Sequence, residues 1–188
     1  MAAAAAATAE PKNDGPALAP FATLSILQLI KDAQQKHGLR HGDYQRYRGY
    51  CARRIRRIRR SLGFTHLHKG VPKHSAKFFQ RKLVTEVVTE QRYLQTALFD
   101  AERNWAFAMQ LKQEMGEDLH SRKRFHMIAK IRRAAKHSSI LESVVRSCDR
   151  VDAVTRLEAQ AYNAWVNGSL RFEQKQWKGA LDCLKTSK

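Results

Sequence analysis

Apolar residues recur every three or four positions along most of this chain, a period that belongs to helices and not to strands. Leu24, Leu27, Ile30 and Ala33 share helical spacing from Thr23 onward, Ser25 and Gln28 have the form of a capping box, and Gly38 supplies a stop. Asp43 is placed to cap a second helix, whose Tyr44, Tyr47, Cys51, Ile55, Ile58 and Leu62 fall on one stripe that ends at Gly63. From Arg81 to Met115 an apolar face runs through Leu83, Val87, Tyr93, Leu94, Ala97, Leu98, Ala101, Trp105, Ala108 and Leu111 without a proline. This predicts one long helix, unbroken or slightly broken, with Gly116 at its end. The period restarts between His120 and Cys148 through Phe125, Ile128, Ile131, Ala135, Leu141, Val144 and Val145. Two further helical segments follow, from Asp152 to Glu173 and from Gln176 to Lys188. Alternating apolar patterns and Asn-Gly hairpins are missing, so the expected class is all-α, built of antiparallel helical hairpins.

Residues 1–22 hold Ala, Pro, Asn, Asp and Gly with little to bury, and are expected to form a disordered, low-complexity tail ahead of a helical domain over 23–188. The run from Ala2 to Ala7 has neither the basic flank nor the Leu-rich centre of a signal peptide. At about 153–186, Ala164, Gly168, Phe172, Trp177, Ala180, Leu181 and Leu184 have the small-large spacing of a tetratricopeptide helix pair. Asn167 and Arg171 stand where Leu and Tyr are usual. Since a lone repeat cannot bury both of its faces, the chain is expected to be the start of a solenoid, truncated at 188.

Charge changes this picture from a generic helical domain to one with a polyanionic partner. There are 35 Lys and Arg against 17 Asp and Glu, a formal net charge of +18, in a chain that is still 43% hydrophobic. That combination describes a folded basic protein and not a disordered basic tail. Between Asp43 and Glu86 no acidic residue occurs, while Arg46, Arg48, Arg53, Arg54, Arg56, Arg57, Arg59, Arg60, Lys69, Lys73, Lys77, Arg81 and Lys82 do. Charge runs are most often solvated helix faces, but such faces interleave Glu with Lys at i,i+4, and here every neighbour is a like charge. A phosphate backbone, whose counterions are released on binding, offsets that repulsion.

Arg53, Arg56, Arg57 and Arg60 share one side of the second helix, with Arg46, Arg54 and Arg59 widening the arc. Arg in place of Lys favours bidentate phosphate contacts and stacking on unpaired bases, so RNA with junctions or bulges suits this helix better than smooth duplex. Tyr50, off the apolar stripe, is a candidate base-stacking ring, whereas Tyr47 on the stripe reads as core. A second acid-free stretch, 119–141, contains Arg122, Lys123, Arg124, Lys130, Arg132, Arg133 and Lys136. Its Lys123, His126, Lys130, Arg133 and His137 run down one face, which enlarges the same surface if it packs beside the arginine helix.

Other chemistry is poorly represented. Three scattered cysteines, Cys51, Cys148 and Cys183, indicate neither a disulfide framework nor a zinc ribbon. The histidines His66, His68 and His74 lack the paired ligand spacing of a metal site and read as loop residues. Carboxylates such as Glu86, Glu90, Asp100, Glu102, Glu114, Glu117 and Asp118 are scattered along helices and read as ion pairs. No phosphate loop or nucleophile elbow occurs, so neither an enzyme nor a cofactor is expected. No apolar run reaches the roughly twenty residues of a membrane span.

The run His37-Gly38-Leu39-Arg40-His41-Gly42-Asp43-Tyr44-Gln45-Arg46-Tyr47-Arg48-Gly49-Tyr50-Cys51 resembles the family of sixty-eight-kilodalton subunits of the eukaryotic signal recognition particle. So do Asp100-Ala101-Glu102-Arg103, Ala108-Met109-Gln110-Leu111-Lys112-Gln113-Glu114, Arg122-Lys123-Arg124-Phe125-His126 and Leu157-Glu158-Ala159-Gln160-Ala161-Tyr162. The resemblance implies an N-terminal RNA-binding domain of tetratricopeptide-like helices that sits at a three-way junction of the particle's RNA, bends it and remodels a loop facing the ribosome. It implies a role in targeting secretory proteins to the endoplasmic reticulum from the cytoplasm, with assembly passing through the nucleolus. A seventy-two-kilodalton partner subunit is implied for a C-terminal region that this chain lacks. The site expected from residues and resemblance together comprises Arg40, Arg46, Arg48, Tyr50, Arg53, Arg54, Arg56, Arg57, Arg59, Arg60, Lys69, Lys73, Lys77, Arg122, Lys123, Arg124, Lys130 and Arg133. The competing expectation is a helical-repeat adaptor that holds an acidic protein segment near the ribosome.

Overall fold

The computed structural model describes residues 19–66, 80–118 and 121–188. Six α-helices occur among them: α1 (Ile26–Lys36), α2 (Tyr44–Ser61), α3 (Arg92–Met115), α4 (Arg122–Ser147), α5 (Ala153–Glu173) and α6 (Trp177–Thr186). Short 3-10 turns at Leu39–His41 and Thr85–Val87 complete the regular structure, and the described residues contain no strand. From α2 onward each helix packs on the next, and α1 returns to α5. The central helix, α3, therefore has α2 on one flank and α4 on the other.

The stripe expected on α2 is the one observed. Tyr47, Cys51, Ile55 and Ile58 are buried against Phe99 and Ala106 of α3, and the Asp43 side chain accepts the Arg46 backbone N–H at 2.8 Å. Gly63 closes the helix at φ +62°, a conformation that favours glycine. Gly49 inside α2 has no such backbone reason. A Cβ there would lie 3.3 Å from the guanidinium of the exposed, movable Arg53. Gly49→Ala is expected to raise stability by about 0.5–1 kcal/mol, since alanine loses less backbone entropy in a helix, and urea unfolding measures it.

Four expectations for the helices are corrected. The stretch before α3 is not helical but extended at Val84, with one 3-10 turn; the β-branched run Val84, Thr85, Val87, Val88 and Thr89 disfavours a helix. In α1 the buried residues are Ile26, Ile30 and Ala33 with Leu24 just before them, while Leu27 is exposed. The capping box does not form either: Ser25 makes no side-chain cap, Gln28 donates to Asp32, and Glu158 of α5 accepts the Leu27 N–H at 3.2 Å. A carboxylate from another helix thus takes the place of the local cap at the positive end of the α1 dipole. In α4 the apolar stripe is Met127, Ile131, Ala134, Ala135, Leu141, Val144 and Val145; Phe125, about 200° around the helix from Met127, is 74% exposed.

The tail boundary expected at 22 also moves. The Phe21 N–H donates to the Arg150 carbonyl at 2.8 Å, and the Arg150 guanidinium covers the Phe21 ring at 4.1 Å while donating to the Ala19 carbonyl at 2.9 Å. Residues 19–22 are therefore folded against the loop before α5. Residues 1–18 lie outside the described residues.

In the C-terminal pair a small residue faces large ones. A Cβ on Gly168 would come within 2.9 Å of Leu184, so α6 sits close to α5 because glycine is there. Phe172 and Trp177 meet edge to face with centroids 5.2 Å apart. The two departures from the repeat pattern are explained by polar contacts. Asn167 donates to Asn163 at 2.8 Å, whose carbonyl also receives the Ser138 hydroxyl of α4 at 2.7 Å. Arg171 reaches the Gly179 carbonyl at 3.2 Å, tying α5 to α6.

Candidate nucleic-acid interface

Burial of the α2 stripe forces the remaining arginines outward. Arg46, Arg53, Arg56, Arg57 and Arg60 are exposed, and Arg48 is half-buried. Their charge is felt across the turn into α1: burial and then Arg46, Arg53, Lys36 and Arg57 hold His37 below its usual value.

Two arginines of the same helix point toward α3. Arg59 donates to Asp100 of α3 at 2.6 Å and is only 15% exposed, and Arg54 lies near the Phe99 ring and donates to Gln95 at 3.3 Å. These guanidinium groups fasten α2 to α3. Tyr50 also has partners within the protein: the His37 ring stacks on it at 3.6 Å and the Phe99 ring stands edge to face with it at 6.1 Å.

The second basic face lies beside the first. Phe107 of α3 carries the Arg48 guanidinium of α2 at 4.3 Å from its centroid and the Lys130 ammonium of α4 at 4.6 Å. Around this ring a groove of about 310 Å³ is lined by Arg48, Gly49, Ala52, Arg103, Asn104, Phe107, Lys130 and Arg133. The acid-free stretches of α2 and α4, far apart in sequence, thus flank one channel with α3 as its floor. Lys130 is held below its usual value by burial first and then by Arg133, Arg103 and Arg48. Its neighbourhood is cationic with no compensating carboxylate in the lining.

Other expected residues fall outside this channel. Lys123 pairs with Glu114 at 3.3 Å on an exposed stretch, a contact that screening leaves weak. Arg124 opens onto a separate groove with Phe125, Ile128, Arg132 and Glu173 at the end of α5. Arg122 is exposed, and Arg40 sits beside Lys31, Gln34 and Gln35 of α1. His137 is partly buried, its value lowered by burial first and influenced by Asp100, Arg103 and Arg59. Lys69, Lys73 and Lys77, like His68 and His74, lie outside the described residues.

Sequence reasoning missed the α3 contribution. Arg103, Asn104 and Phe107 carry no charge run that draws the eye, and only the packing of α2 and α4 on either side turns them into a groove floor. It also misread Glu102, which is fully buried and makes no ion pair among the described residues. Its Oε2 accepts the Tyr47 hydroxyl at 2.6 Å and the Gln34 amide at 3.0 Å, and its Oε1 accepts the Tyr162 hydroxyl at 2.8 Å. Asp100 does pair, with Arg59 at 2.6 Å and Arg103 at 2.9 Å. Among the described residues no three His, Cys, Asp or Glu side chains are grouped as metal ligands, and no helix is long and apolar enough to cross a membrane.

Known proteins resemble this chain in sequence and in fold. Residues 39–188 match the family described as RNA-binding signal recognition particle 68. A Caenorhabditis elegans protein named signal recognition particle subunit SRP68 is 45% identical over 95% of this chain and 29% of its own length. Its Drosophila melanogaster counterpart is 46% identical over 87% of this chain and 26% of its own. The chain therefore spans less than a third of the curated relatives it matches. A solved structure titled as the SRP68-RBD from Chaetomium thermophilum shares the fold with a TM-score of 0.73 at 21% identity, covering 88% of this chain and 80% of that one. By its sequence match over 39–188, this chain belongs to the RNA-binding signal recognition particle 68 family.

Proposed function

We propose that this chain is a non-enzymatic RNA-binding part of the signal recognition particle that grips the particle's RNA at a three-way junction, bends it, and so supports delivery of secretory proteins to the endoplasmic reticulum. The observation that carries this reading is the convergence of two acid-free stretches, α2 and the part of α4 before Glu142, on one groove across Phe107. Phosphates of two RNA segments approaching at an angle match such a surface better than one straight duplex does, because α2 and α4 present separate rows of cations. Its remaining partners are other proteins of the particle, including a seventy-two-kilodalton subunit bound outside this chain, and the ribosome. It works in the cytoplasm after assembly in the nucleolus.

Arg-rich helices without a base-reading sheet recognise shape through phosphates and widened grooves. Affinity is therefore expected to survive base-pair swaps within the arms of a junction RNA. Replacing the junction with a continuous duplex is expected to weaken binding roughly tenfold or more, leaving only the salt-sensitive binding any polyanion receives. Filter binding with the two RNAs at several salt concentrations decides it. Equal affinity for both, or tighter binding to an acidic peptide than to either RNA, would sink the reading.

A further inference from the structure

The groove across Phe107 differs in kind from the exposed arginine face. Arg48, Arg103, Lys130 and Arg133 reach it from three helices, and none of its lining residues is a carboxylate. The Asp100 carboxylate behind it is already shared by Arg59 and Arg103, Glu114, which feels the charge of Arg48, pairs with Lys123, and the Asn104 amide is turned to the Asp100 carbonyl at 2.7 Å. Four cations gathered from three helices around one ring repel one another more strongly than the same four spaced along an open helix face, since they stand closer together.

We propose that this groove is a phosphate seat, and that it holds one backbone phosphate of the bound RNA between α2 and α4. This rests on the RNA-binding reading above and assigns to Arg103 of α3, together with Arg48, Lys130 and Arg133, a role in it. The ligand is a phosphate and not a base. The aromatic ring that would stack a base is already covered by Arg48 and Lys130, which keeps those cations aimed into the channel through their quadrupole attraction to the ring. Arg48 and Arg103 supply planar, bidentate donors, and Lys130 supplies a compact charge at the floor. The seat is also continuous with the arginine face, because Gly49 on its rim lies against the Arg53 guanidinium.

Titration of the protein with inorganic phosphate at constant ionic strength, read on the Phe107 ring resonances by NMR, tests the seat without RNA. A saturable shift is expected that chloride does not reproduce, that Lys130→Gln and Arg133→Gln abolish, and that Lys178→Gln on α6 leaves intact. No phosphate-specific shift would overturn the seat. In the second arm, Lys130→Gln and Arg133→Gln are each expected to weaken junction-RNA binding roughly three- to tenfold and to lower the salt slope by about one unit. A saturable phosphate shift with an unchanged RNA slope would mean that the groove takes a free anion, and would overturn the assignment to the RNA backbone. If all RNA binding proves weak and insensitive to salt, the RNA-binding reading itself fails, and the first arm still decides whether the seat exists.

Discussion

Replacing Glu102 with alanine is expected to destabilise the domain by about 3 to 5 kcal/mol, more than any single change on its surface. Glu102 has no accessible surface. Truncation leaves a cavity and removes the acceptor that the Tyr47 hydroxyl, the Tyr162 hydroxyl and the Gln34 amide share. Buried donors without acceptors cost about 1 to 3 kcal/mol each. Glu102→Gln is expected to be far milder, because a tyrosine hydroxyl facing the new amide can turn to accept from it. The two variants also separate charge from shape. Burial raises the Glu102 carboxyl above its ordinary range, and the three donors offset only part of that rise. A raised value in the folded state means that the contribution of Glu102 is complete below its unfolded pKa and diminishes as pH climbs through the folded one. Urea melts across pH 4 to 8 are therefore expected to show stability declining with pH in the parent relative to Glu102→Gln. Parallel curves for the two proteins would refute a raised value.

Changing Arg53, Arg56, Arg57 and Arg60 together to alanine is expected to do the reverse: abolish most RNA affinity while the fold stands. All four are exposed on α2 and none has an ion-pair partner among those observed. If each meets one phosphate, the slope of log affinity against log salt should fall by about 3 to 4 units. At moderate salt the loss should reach roughly a hundredfold to a thousandfold, at about 1 kcal/mol per contact. The melting temperature should hold or rise, because like charges one turn apart are mildly destabilising and alanine favours the helix. Early melting with unaltered affinity would exchange the roles given to these residues and to the buried stripe.

These two sites also mark the limits of what could be read along the chain. The α2 stripe was legible because it obeys a local rule: an apolar residue every three or four positions, with a capping Asp43 and a closing Gly63. The class and most helix ends followed from the same rule. The stretch 84–89 was misread because an apolar period was given more weight than five β-branched residues in six positions. Phe125 was misread because periodicity identifies a candidate stripe but not which of two neighbouring stripes meets α3. The roles of Arg54, Arg59 and Tyr50 depended on which groups of α3 and α1 stand opposite, and no spacing within α2 encodes that. Glu102 was the hardest, since a carboxylate amid basic residues looks like an ion pair until three distant donors are placed around it.

The seating of α1 on α5 has a consequence for the order in which this chain can acquire its structure. The Leu24 N–H meets the Thr155 hydroxyl, and the Leu27 N–H meets Glu158. Each contact spans 131 residues, so the first turn of the first helix cannot find these acceptors until nearly the whole domain has been synthesised. The α2–α3, α3–α4 and α4–α5 pairs are joined by contacts between neighbours in sequence and close much shorter loops, which cost less entropy. During translation α1 therefore emerges well before α5 and is seated on it only after the intervening helices have emerged, so the burial of Leu24 and Ile26 is completed late.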